Sequence, residues 1–297
     1  MTNLPFDLRE KLDKEYFFPK IEHEVFTSVD GTKKFRFKLG DGKIIESVWM
    51  PEEKRNTLCI SSQVGCAMKC AFCVTGAIGF MRNLTALEII SQVWFVKMAQ
   101  KLPVSNVVFM GMGEPLQNLN NVVESIAMLT DKKRIAVGKR KITVSTVGLV
   151  PKMREFVEKT DVKLAISVTG TNDQDRDHWM PINKTYNWER LVKELKTIPL
   201  PFGKKFTFEV VMLKGETDTE AKAKELAAQL KGLPAKVNLI PYNENPFFPD
   251  LKTPTPERIE KFQQILINSG IPAMIRKNRG TDIMGACGQL AGKDVTI

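Results

Sequence analysis

Three cysteines stand close together in this sequence, Cys66, Cys70 and Cys73, with the spacing C-x3-C-x2-C. Three neighbouring thiolates can each bind one iron of a 4Fe–4S cluster, which leaves the fourth iron without a protein ligand. That open iron can bind a small molecule and pass it an electron. The spacing therefore predicts redox chemistry at an iron–sulfur cluster.

Structural zinc is the alternative explanation for the same cysteines. A structural zinc site is closed by four ligands and is usually built from two ligand pairs. The sequence has no second C-x2-C pair, and its two histidines, His23 and His178, lie in unrelated segments. A fourth ligand could come from Cys59 or Cys287, so zinc stays open as an alternative.

The remaining two cysteines, Cys59 and Cys287, bring the total to five. An odd number, with three crowded together, is not typical of the disulfide framework of a secreted protein. The start of the chain carries charges throughout and lacks the apolar core of a signal peptide. No segment approaches the roughly 18 apolar residues that a membrane span needs. We therefore expect a cytoplasmic protein that does not contact a membrane.

The formal net charge of +10 and a pI near 9.3 make the chain strongly basic. A basic excess favours a polyanionic partner such as nucleic acid, because each neutralised phosphate releases counterions. An ordinary solvated basic surface is the alternative. The basic clusters are residues 33–38, 132–134, 139–141 and 276–279.

The pattern of strands and helices predicts an α/β fold with two parts. Residues 1–56 read as a short helix, Asp7 to Tyr16, followed by a small β-meander over 24–50 with turn signals at Asp30-Gly31 and Asp41-Gly42. From residue 57 to 297, strands and helices alternate, which predicts a parallel sheet curled into a partial (β/α)6 barrel similar to a TIM barrel. The predicted strands are Leu58–Ser62, Asn106–Met110, Lys141–Ser145, Lys163–Val168, Phe206–Leu213 and Val237–Ile240, with a final short strand Ala273–Arg276.

Amphipathic helices are predicted between these strands. The clearest begins at a capping box of Thr85 and Glu88 and ends at Gln100. Its apolar residues at helical spacing are Leu87, Ile90, Trp94 and Met98, which we expect on one face. The other predicted helices are Asn121–Leu129, Asn187–Lys196, Asp218–Leu230 and Pro256–Ser269.

Chemically active residues follow the carboxyl ends of the predicted strands. The cysteine loop follows the first strand, Gly111-Met112-Gly113-Glu114-Pro115 follows the second, Ser145 and Ser167 end the third and fourth, and Asn243 follows the sixth. Active sites of parallel barrels form at this end. In the glycine turn, the small residues would let backbone approach a ligand and Glu114 would accept a hydrogen bond from an amine; an ordinary tight turn is the alternative.

The cysteine spacing, with an aromatic residue before the last cysteine, resembles the radical S-adenosylmethionine (SAM) superfamily. Longer segments resemble the RlmN/Cfr family of RNA adenine methyltransferases within it, over nearly the whole chain, and Arg279-Gly280-Thr281-Asp282-Ile283 is more similar to the RlmN branch. These segments are residues 57–66 (TLCISSQVGC), 79–86 (GFMRNLTA), 110–115 (MGMGEP), 237–241 (VNLIP) and 286–290 (ACGQL).

The resemblance implies methylation of carbon-2 of an adenosine in 23S rRNA, with tRNA as a second substrate, by a monomer that uses a 4Fe–4S cluster and SAM. An electron donor such as flavodoxin or ferredoxin supplies electrons. Carbon-2 of adenine is electron-poor, so a direct polar methyl transfer would fail. The implied route methylates Cys287, forms a radical on that methyl group with a second SAM, and adds it to the base. Proton removal by Glu46 and attack of Cys59 on the Cys287 sulfur then release the product as a disulfide forms.

From the residues alone, these three side chains have plainer explanations. Cys59 would be a core residue, Cys287 a small buried residue in a loop, and Glu46 a solvent-facing strand residue between apolar neighbours. The resemblance also implies cofactor contacts. They are Gly113, Glu114, Ser145, Ser167, Val168, Thr169 and Asn243.

Two departures from the family pattern stand out. The family has Ser-Leu-His after the fourth strand, whereas this chain has Ser167-Val168-Thr169, and threonine lacks the reach and the titration of an imidazole. Family members also usually carry a small N-terminal helical domain associated with RNA binding, and we expect this chain to lack it. The alternatives are carbon-8 methylation, a related RNA methyltransferase with another substrate, and a non-catalytic RNA-binding protein stabilised by a metal.

Overall fold

The computed structural model describes residues 4–15, 22–200 and 204–291. The predicted helix end at Tyr16 lies outside these ranges. The strands are β1 (Glu22–Thr27), β2 (Lys33–Lys38), β3 (Ile44–Glu52), β4 (Arg55–Cys59), β5 (Gln63–Gly65), β6 (Phe80–Asn83), β7 (Asn106–Phe109), β8 (Ile142–Thr146), β9 (Lys163–Ser167), β10 (Phe206–Met212), β11 (Ala235–Pro241) and β12 (Ala273–Ile275).

Helices connect most of these strands. The α-helices are α1 (Phe6–Glu15), α2 (Val74–Ala77), α3 (Ala86–Trp94), α4 (Leu119–Thr130), α5 (Val150–Lys159), α6 (Asp173–Trp179), α7 (Trp188–Thr197), α8 (Glu220–Gln229) and α9 (Pro256–Asn268). A π-helical turn covers Phe95–Ala99, and short 3-10 turns cover Pro115–Asn118, Lys139–Lys141, Pro181–Lys184 and Thr281–Ile283. Within the described ranges, none of the helices has both the length and the apolar character needed to cross a lipid bilayer.

One ten-stranded sheet organises the molecule, in the order β1-β2-β3-β4-β7-β8-β9-β10-β11-β12. The pairs from β4 to β12 are parallel, and each of these strands lies beside the one that precedes it in this series. This arrangement confirms the predicted α/β fold and its run of βα units. It also brings the carboxyl ends of consecutive parallel strands to one side of the sheet.

Apolar residues at alternate positions of the parallel strands form the main core. Leu58, Val107, Val144, Phe208 and Leu239 are fully buried. Alternate side chains of a strand point to opposite faces, so these residues leave the intervening positions to the other face of the sheet. The predicted site residues Cys59 and Ser145 come from those intervening positions.

The N-terminal meander extends the same sheet. Strands β1 to β4 pair antiparallel, and β3 meets β4 with Val48 opposite Cys59. Both turn signals are confirmed, since Gly31 and Gly42 adopt positive φ values of 81° and 78°. The predicted division at residue 56 falls inside β4, and the two-part organisation stays a prediction.

The predicted helix from Thr85 to Gln100 needs two corrections. The capping box of Thr85 and Glu88 is present, but the α-helix ends at Trp94 and continues as the π-helical turn. The predicted face is also wrong, because Leu87 is 65% and Met98 57% exposed, whereas Ile89 and Val93 are fully buried. A buried glutamine, Gln92, lies on the inward face and makes the buried side look polar in the sequence.

Several elements were not predicted. Helices α5 and α6 and the two-stranded sheet of β5 and β6 are absent from the sequence-based assignment, and the first parallel strand is Arg55–Cys59 instead of Leu58–Ser62. In the small sheet, Gly65 has φ +72°, and a Cβ there would lie 1.8 Å from the carbonyl oxygen of Gly79. Only glycine permits this approach, which places β6 against the entrance to the cysteine loop.

Candidate active site

A cavity of about 200 Å³, which opens to solvent, lies at the carboxyl ends of the parallel strands. Its walls come from the strand ends, from the cysteine loop and from the C-terminal segment after β12. The structure brings most of the predicted site residues together here. Those that line the cavity are Cys59, Cys66, Cys70, Cys73, Gly113, Glu114, Ser145, Ser167, Asn243 and Cys287.

Backbone hydrogen bonds hold the cysteine loop. The amide of Cys66 donates to Gly79 O at 3.0 Å, and that of Cys73 donates to Cys70 O at 3.1 Å before α2 begins. A Cβ at Gly76 would lie 3.1 Å from the amide nitrogen of Cys70, so glycine lets α2 pack directly beneath the loop. The three thiols are thereby held around one side of the cavity.

The chemistry of these thiols fits an iron–sulfur cluster. Burial raises the pKa of Cys66 to about 12 and raises the pKa values of Cys70 and Cys73. Buried thiols of this kind become thiolates when a metal cation replaces the proton. In the described part of the chain, no three His, Cys, Asp or Glu side chains are arranged around a single ion. A 4Fe–4S cluster takes one thiolate per iron, so its cysteines need not converge on one point.

Glu114 is a buried carboxylate at the wall of the cavity. Its Oε1 accepts a hydrogen bond from the amide of Leu116 and its Oε2 one from the amide of Val147, both at 2.9 Å. Burial raises the pKa of Glu114 to about 7. A Cβ at Gly113 would lie 2.5 Å from Cβ of Gln63, so this turn requires glycine. The arrangement presents a carboxylate suited to a cationic or amine-bearing ligand.

Asn243 links the cavity wall to the segment that carries Cys287. Its Nδ2 donates to Cys287 O at 3.0 Å. Its Oδ1 is buried and has no hydrogen-bond partner among the described residues. An unpaired buried acceptor is costly unless a ligand or water supplies the donor. This atom therefore fits a polar cofactor in the cavity.

The two thiols outside the cysteine loop, Cys59 and Cys287, both line the cavity. Cys59 is only 7% exposed, and burial, followed by the nearby Cys287, raises its pKa. Part of Cys287 is exposed to solvent. Desolvation by the surrounding protein raises the pKa of its thiol, whereas the positive charge of Arg276 lowers it. Both are free thiols in this structure.

Glu46 does not line the cavity, and it is not a solvent-facing residue either. Its side chain is 1% exposed, which corrects the reading from the alternating strand pattern. Its Oε2 accepts a hydrogen bond from the amide of Ala291 at 3.0 Å, and its Oε1 lies 3.5 Å from both Lys34 Nζ and Arg36 Nε. Glu46 thus connects the meander to the segment that follows Cys287.

Val168 and Thr169 lie behind the cavity wall. Both are fully buried, and neither lines the cavity. The Val168 amide donates to Glu209 O at 2.8 Å, and Thr169 Oγ1 accepts from the Val211 amide at 3.1 Å. Thr169, at the position where the resemblance implies a histidine, therefore supports the neighbouring strand β10.

Two buried charged residues at the site were missed by sequence reasoning. Glu209, in β10, lines the cavity and accepts a hydrogen bond from Ser145 Oγ at 2.9 Å. Arg176, in α6, is 1% exposed and donates to the carbonyl oxygen of Ser167 at 3.2 Å; burial lowers its pKa to about 10. Glu209 is the one charge in the strand sequence FTFEVVM, which is a signal that could have been used.

The basic cluster at residues 276–279 also belongs to the site. Arg276, Lys277, Asn278 and Arg279 line the cavity just after β12. From the sequence alone, this cluster is one of several basic runs. Its position at the mouth places positive charge where a large anionic substrate would approach.

Comparison with known proteins identifies the family. The radical SAM superfamily matches residues 60–227. A dual-specificity RNA methyltransferase RlmN from Geotalea uraniireducens (strain Rf4) is 47% identical over 294 residues, which cover 99% of this chain and 85% of the relative. The dual-specificity RNA methyltransferase RlmN 2 of Myxococcus xanthus (strain DK1622) is 47% identical over 305 residues, which cover 100% of this chain and 80% of the relative.

Among solved structures, a crystal structure of a radical SAM methyltransferase from Sphaerobacter thermophilus superposes with a TM-score of 0.92 at 40% identity. The alignment covers 98% of this chain and 87% of that one. Sequence and fold therefore agree over nearly the whole length. The chain belongs to the radical SAM superfamily and, within it, to the RlmN family of methyltransferases.

Proposed function

We propose that this chain methylates carbon-2 of an adenosine in 23S rRNA, with tRNA as a second substrate. The observation that carries the proposal is the meeting, in one cavity, of the three cluster cysteines with the two further thiols Cys59 and Cys287. A metal-stabilised binding protein needs neither of those thiols. The names of the relatives, dual-specificity RNA methyltransferases, support RNA as the substrate.

The cofactors of the superfamily are a 4Fe–4S cluster and SAM, and the cavity residues suit both. We propose that Cys66, Cys70 and Cys73 hold the cluster, and that Gly113, Glu114, Ser145, Ser167 and Asn243 contact SAM. Bound there, these cofactors supply the methyl group and the one-electron chemistry. Val168 and Thr169 are assigned to the supporting wall, because their side chains are buried behind the cavity.

Cys287 is the proposed carrier of the methyl carbon, and Cys59 is the proposed nucleophile that frees the product. Both thiols line the same cavity, and the nearby Cys287 helps to raise the pKa of Cys59. Attack of Cys59 on the Cys287 sulfur forms a disulfide and breaks the bond between that sulfur and the transferred carbon. The electron pair of the broken bond leaves with the carbon, which takes up a proton and becomes the methyl group of the product. Asn243 fixes the carbonyl of Cys287, which keeps its loop at the cavity.

Glu46 is the proposed proton acceptor from the RNA adduct. Its carboxylate now accepts the amide hydrogen of Ala291 and faces Lys34 and Arg36. To reach a base in the cavity, it must release Ala291. We propose that this release accompanies movement of the Cys287 segment.

The wider setting of the reaction is also a proposal. Arg276, Lys277 and Arg279 would contact RNA phosphates at the cavity mouth, and a flavodoxin or ferredoxin would deliver electrons near the cysteine loop. We propose a cytoplasmic monomer that acts away from membranes.

The decisive experiment uses anaerobically purified enzyme with its cluster, SAM, a reductant and either 23S rRNA or tRNA lacking the modification. Digestion to nucleosides and mass spectrometry should reveal 2-methyladenosine. Cys287→Ala should abolish the product, and Cys59→Ala should leave protein covalently attached to RNA. Finding 8-methyladenosine instead would support the carbon-8 alternative. RNA binding without any methylation by the cluster-loaded wild type would contradict an enzymatic role.

A further inference from the structure

Cations stand at the amino ends of five parallel strands, at the opposite end of the barrel from the cavity. In each case the cation comes four residues before a side chain that lines the cavity. The pairs are Arg55 and Cys59 in β4, Lys141 and Ser145 at β8, Lys163 and Ser167 in β9, Lys205 and Glu209 at β10, and Lys236 and Ile240 in β11.

This spacing of four places the cations on the face of the sheet that carries the cavity-lining residues. Residues separated by an even number of positions along a strand point to the same side of the sheet. The layer between the cations and the cavity holds Thr57, Ala165, Thr207 and Asn238, all buried. We call Arg55, Lys141, Lys163, Lys205 and Lys236 the amino-end cluster.

Members of the amino-end cluster lie close enough to repel one another. The pKa of Lys163 is lowered, first by burial and then by the charges of Lys236, Lys141 and Arg55. Lys205 immediately precedes β10, beside β9, which begins at Lys163. Like charges gathered in this way destabilise the empty surface and attract an anion.

Few carboxylates offset this charge. Glu52 pairs with Arg55 at 3.0 Å, and Asp161 pairs with Lys139 at 2.7 Å at the same end of the barrel. For Lys141, Lys163, Lys205 and Lys236, no ion pair with a carboxylate occurs within the described residues. Their ammonium groups are therefore available to an external ligand.

The position of the cluster decides between possible anionic partners. Four residues of strand span roughly 13 Å, so the amino-end cluster lies one full layer of side chains below the cavity. An acidic electron donor bound there would have the depth of the barrel between it and the cysteine loop. A folded RNA of tens of nucleotides can contact both ends of the barrel and already carries the phosphates that lysines bind.

We propose that the amino-end cluster is a second RNA-binding surface, which holds backbone phosphates of the RNA whose base enters the cavity. The inference rests on the proposed RNA substrate. It adds a contact that is remote from the reacting base and independent of its sequence. It also gives a role to basic residues that the proposed reaction does not use.

The test compares two triple variants of the enzyme loaded with its 4Fe–4S cluster. One is Lys141→Gln, Lys163→Gln and Lys205→Gln. The control is Lys193→Gln, Lys224→Gln and Lys261→Gln, which removes one exposed lysine from each of α7, α8 and α9 and makes the same change in net charge. RNA affinity is measured by fluorescence anisotropy over a range of salt concentrations, with far-UV circular dichroism to verify folding.

Loss of three phosphate contacts should weaken RNA binding roughly tenfold to a hundredfold and reduce the slope of log affinity against log salt by about two to three. The control variant should keep the wild-type slope. In the wild type, bound RNA should protect Lys163 and Lys205 from acetylation, as read by mass spectrometry.

Equal affinities and slopes for the two triple variants, or no protection of Lys163 and Lys205, would overturn the inference. Slower reduction by an acidic electron donor with unchanged RNA affinity would also overturn it and assign the surface to that donor. A wild-type enzyme that binds no RNA at all would instead count against the proposed function. The two failures are thus distinguishable.

Discussion

The buried carboxylate of Glu114 connects stability to pH. Its pKa is raised from 4.5 to about 7, because burial disfavours the charged form. Between these two values the folded protein keeps a proton that the unfolded chain has lost. By linkage, this group makes the protein less stable as pH rises through that window.

We predict that Glu114→Gln abolishes this contribution in the cluster-free protein. Between pH 5 and pH 7 the wild type should lose about 2 kcal/mol of unfolding free energy relative to the variant. Urea unfolding at both pH values measures the difference. The comparison uses the change with pH and not the absolute stability, since glutamine cannot accept both amide hydrogens. Parallel pH dependences for the two proteins would contradict the raised pKa.

Glu46 gives a second prediction, in which two substitutions separate two roles. Glutamine retains an oxygen that can accept the Ala291 amide hydrogen, whereas alanine does not. Glu46→Ala should therefore speed hydrogen exchange at Ala291 by up to about tenfold, and Glu46→Gln should leave it near the wild-type rate. Both variants should lose turnover, because neither has a carboxylate to accept the proton. Exchange is followed by mass spectrometry.

Either half of that prediction can fail independently. Full turnover by Glu46→Gln would exclude Glu46 as the proton acceptor. Unchanged exchange in Glu46→Ala would show that the hydrogen bond to Ala291 does not hold the C-terminal segment.

At this scale the sequence predicted residues whose chemistry is local. The cysteine spacing predicted Cys66, Cys70 and Cys73, and strand ends predicted Ser145, Ser167 and Asn243. All six line the cavity. Glu209 and Arg176 were missed, because their roles depend on partners distant in sequence, such as Ser145 Oγ and the carbonyl of Ser167. Hydrogen bonds of that kind leave no periodic signal.

At the level of elements, Gln92 of α3 joins the meander to the chain that enters the cysteine loop. Its Oε1 accepts hydrogen bonds from Ser47 Oγ and from the Ser61 amide, and its Nε2 donates to Ser61 O. All of these groups are buried. The helix, β3 and the segment after β4 are therefore held by one amide side chain.

We predict that Gln92→Ala costs about 2 to 4 kcal/mol of unfolding free energy, since it leaves several buried polar groups without partners. The matched control is Gln264→Ala in α9, where the glutamine is exposed and its Nε2 donates to Asn268 Oδ1 on the same helix. That change should stay within about 0.5 kcal/mol. Urea unfolding compares the two variants, and similar losses in both would contradict the assigned role.

Gln92 also explains why the face of its helix was mispredicted. Leu87, Ile90, Trp94 and Met98 have regular helical spacing, yet the residues that pack inward include Ile89 and Val93. This helix has two rows of apolar residues at helical spacing. The row that packs inward includes the polar residue Gln92, so it looks less apolar in the sequence. Strand order was easier, because consecutive βα units place parallel strands side by side.

For the whole molecule, the prediction is a monomer. Leu87, Ile267 and Met274, three of the large exposed apolar side chains, lie on separate elements, and the net charge of +10 opposes self-association. Nuclease-treated enzyme should show a mass near 33.5 kDa by light scattering. A mass of about twice that value, independent of salt, would contradict the prediction.

For the whole molecule, the sequence predicted the basic character and the order of the parallel strands. It did not predict that the meander joins the same sheet. Strands β3 and β4 form a hairpin in which the two-residue turn Glu53-Lys54 pairs Glu52 with Arg55. That turn lacks the glycine or asparagine that signals such a hairpin in a sequence. The basic composition predicted an anionic partner but not where on the barrel the charge would gather.

The planar amide of Asn243 performs two tasks with a single rigid group. One end restrains the carbonyl of Cys287, and the other end is the unsatisfied acceptor inside the barrel mouth. A molecule that donates to the free end must orient the same plane that restrains the loop. Binding of a cofactor at Asn243 and the position of the Cys287 loop are consequently coupled. If a bound cofactor restrains the loop, a restrained loop must raise the affinity for the cofactor by the same factor.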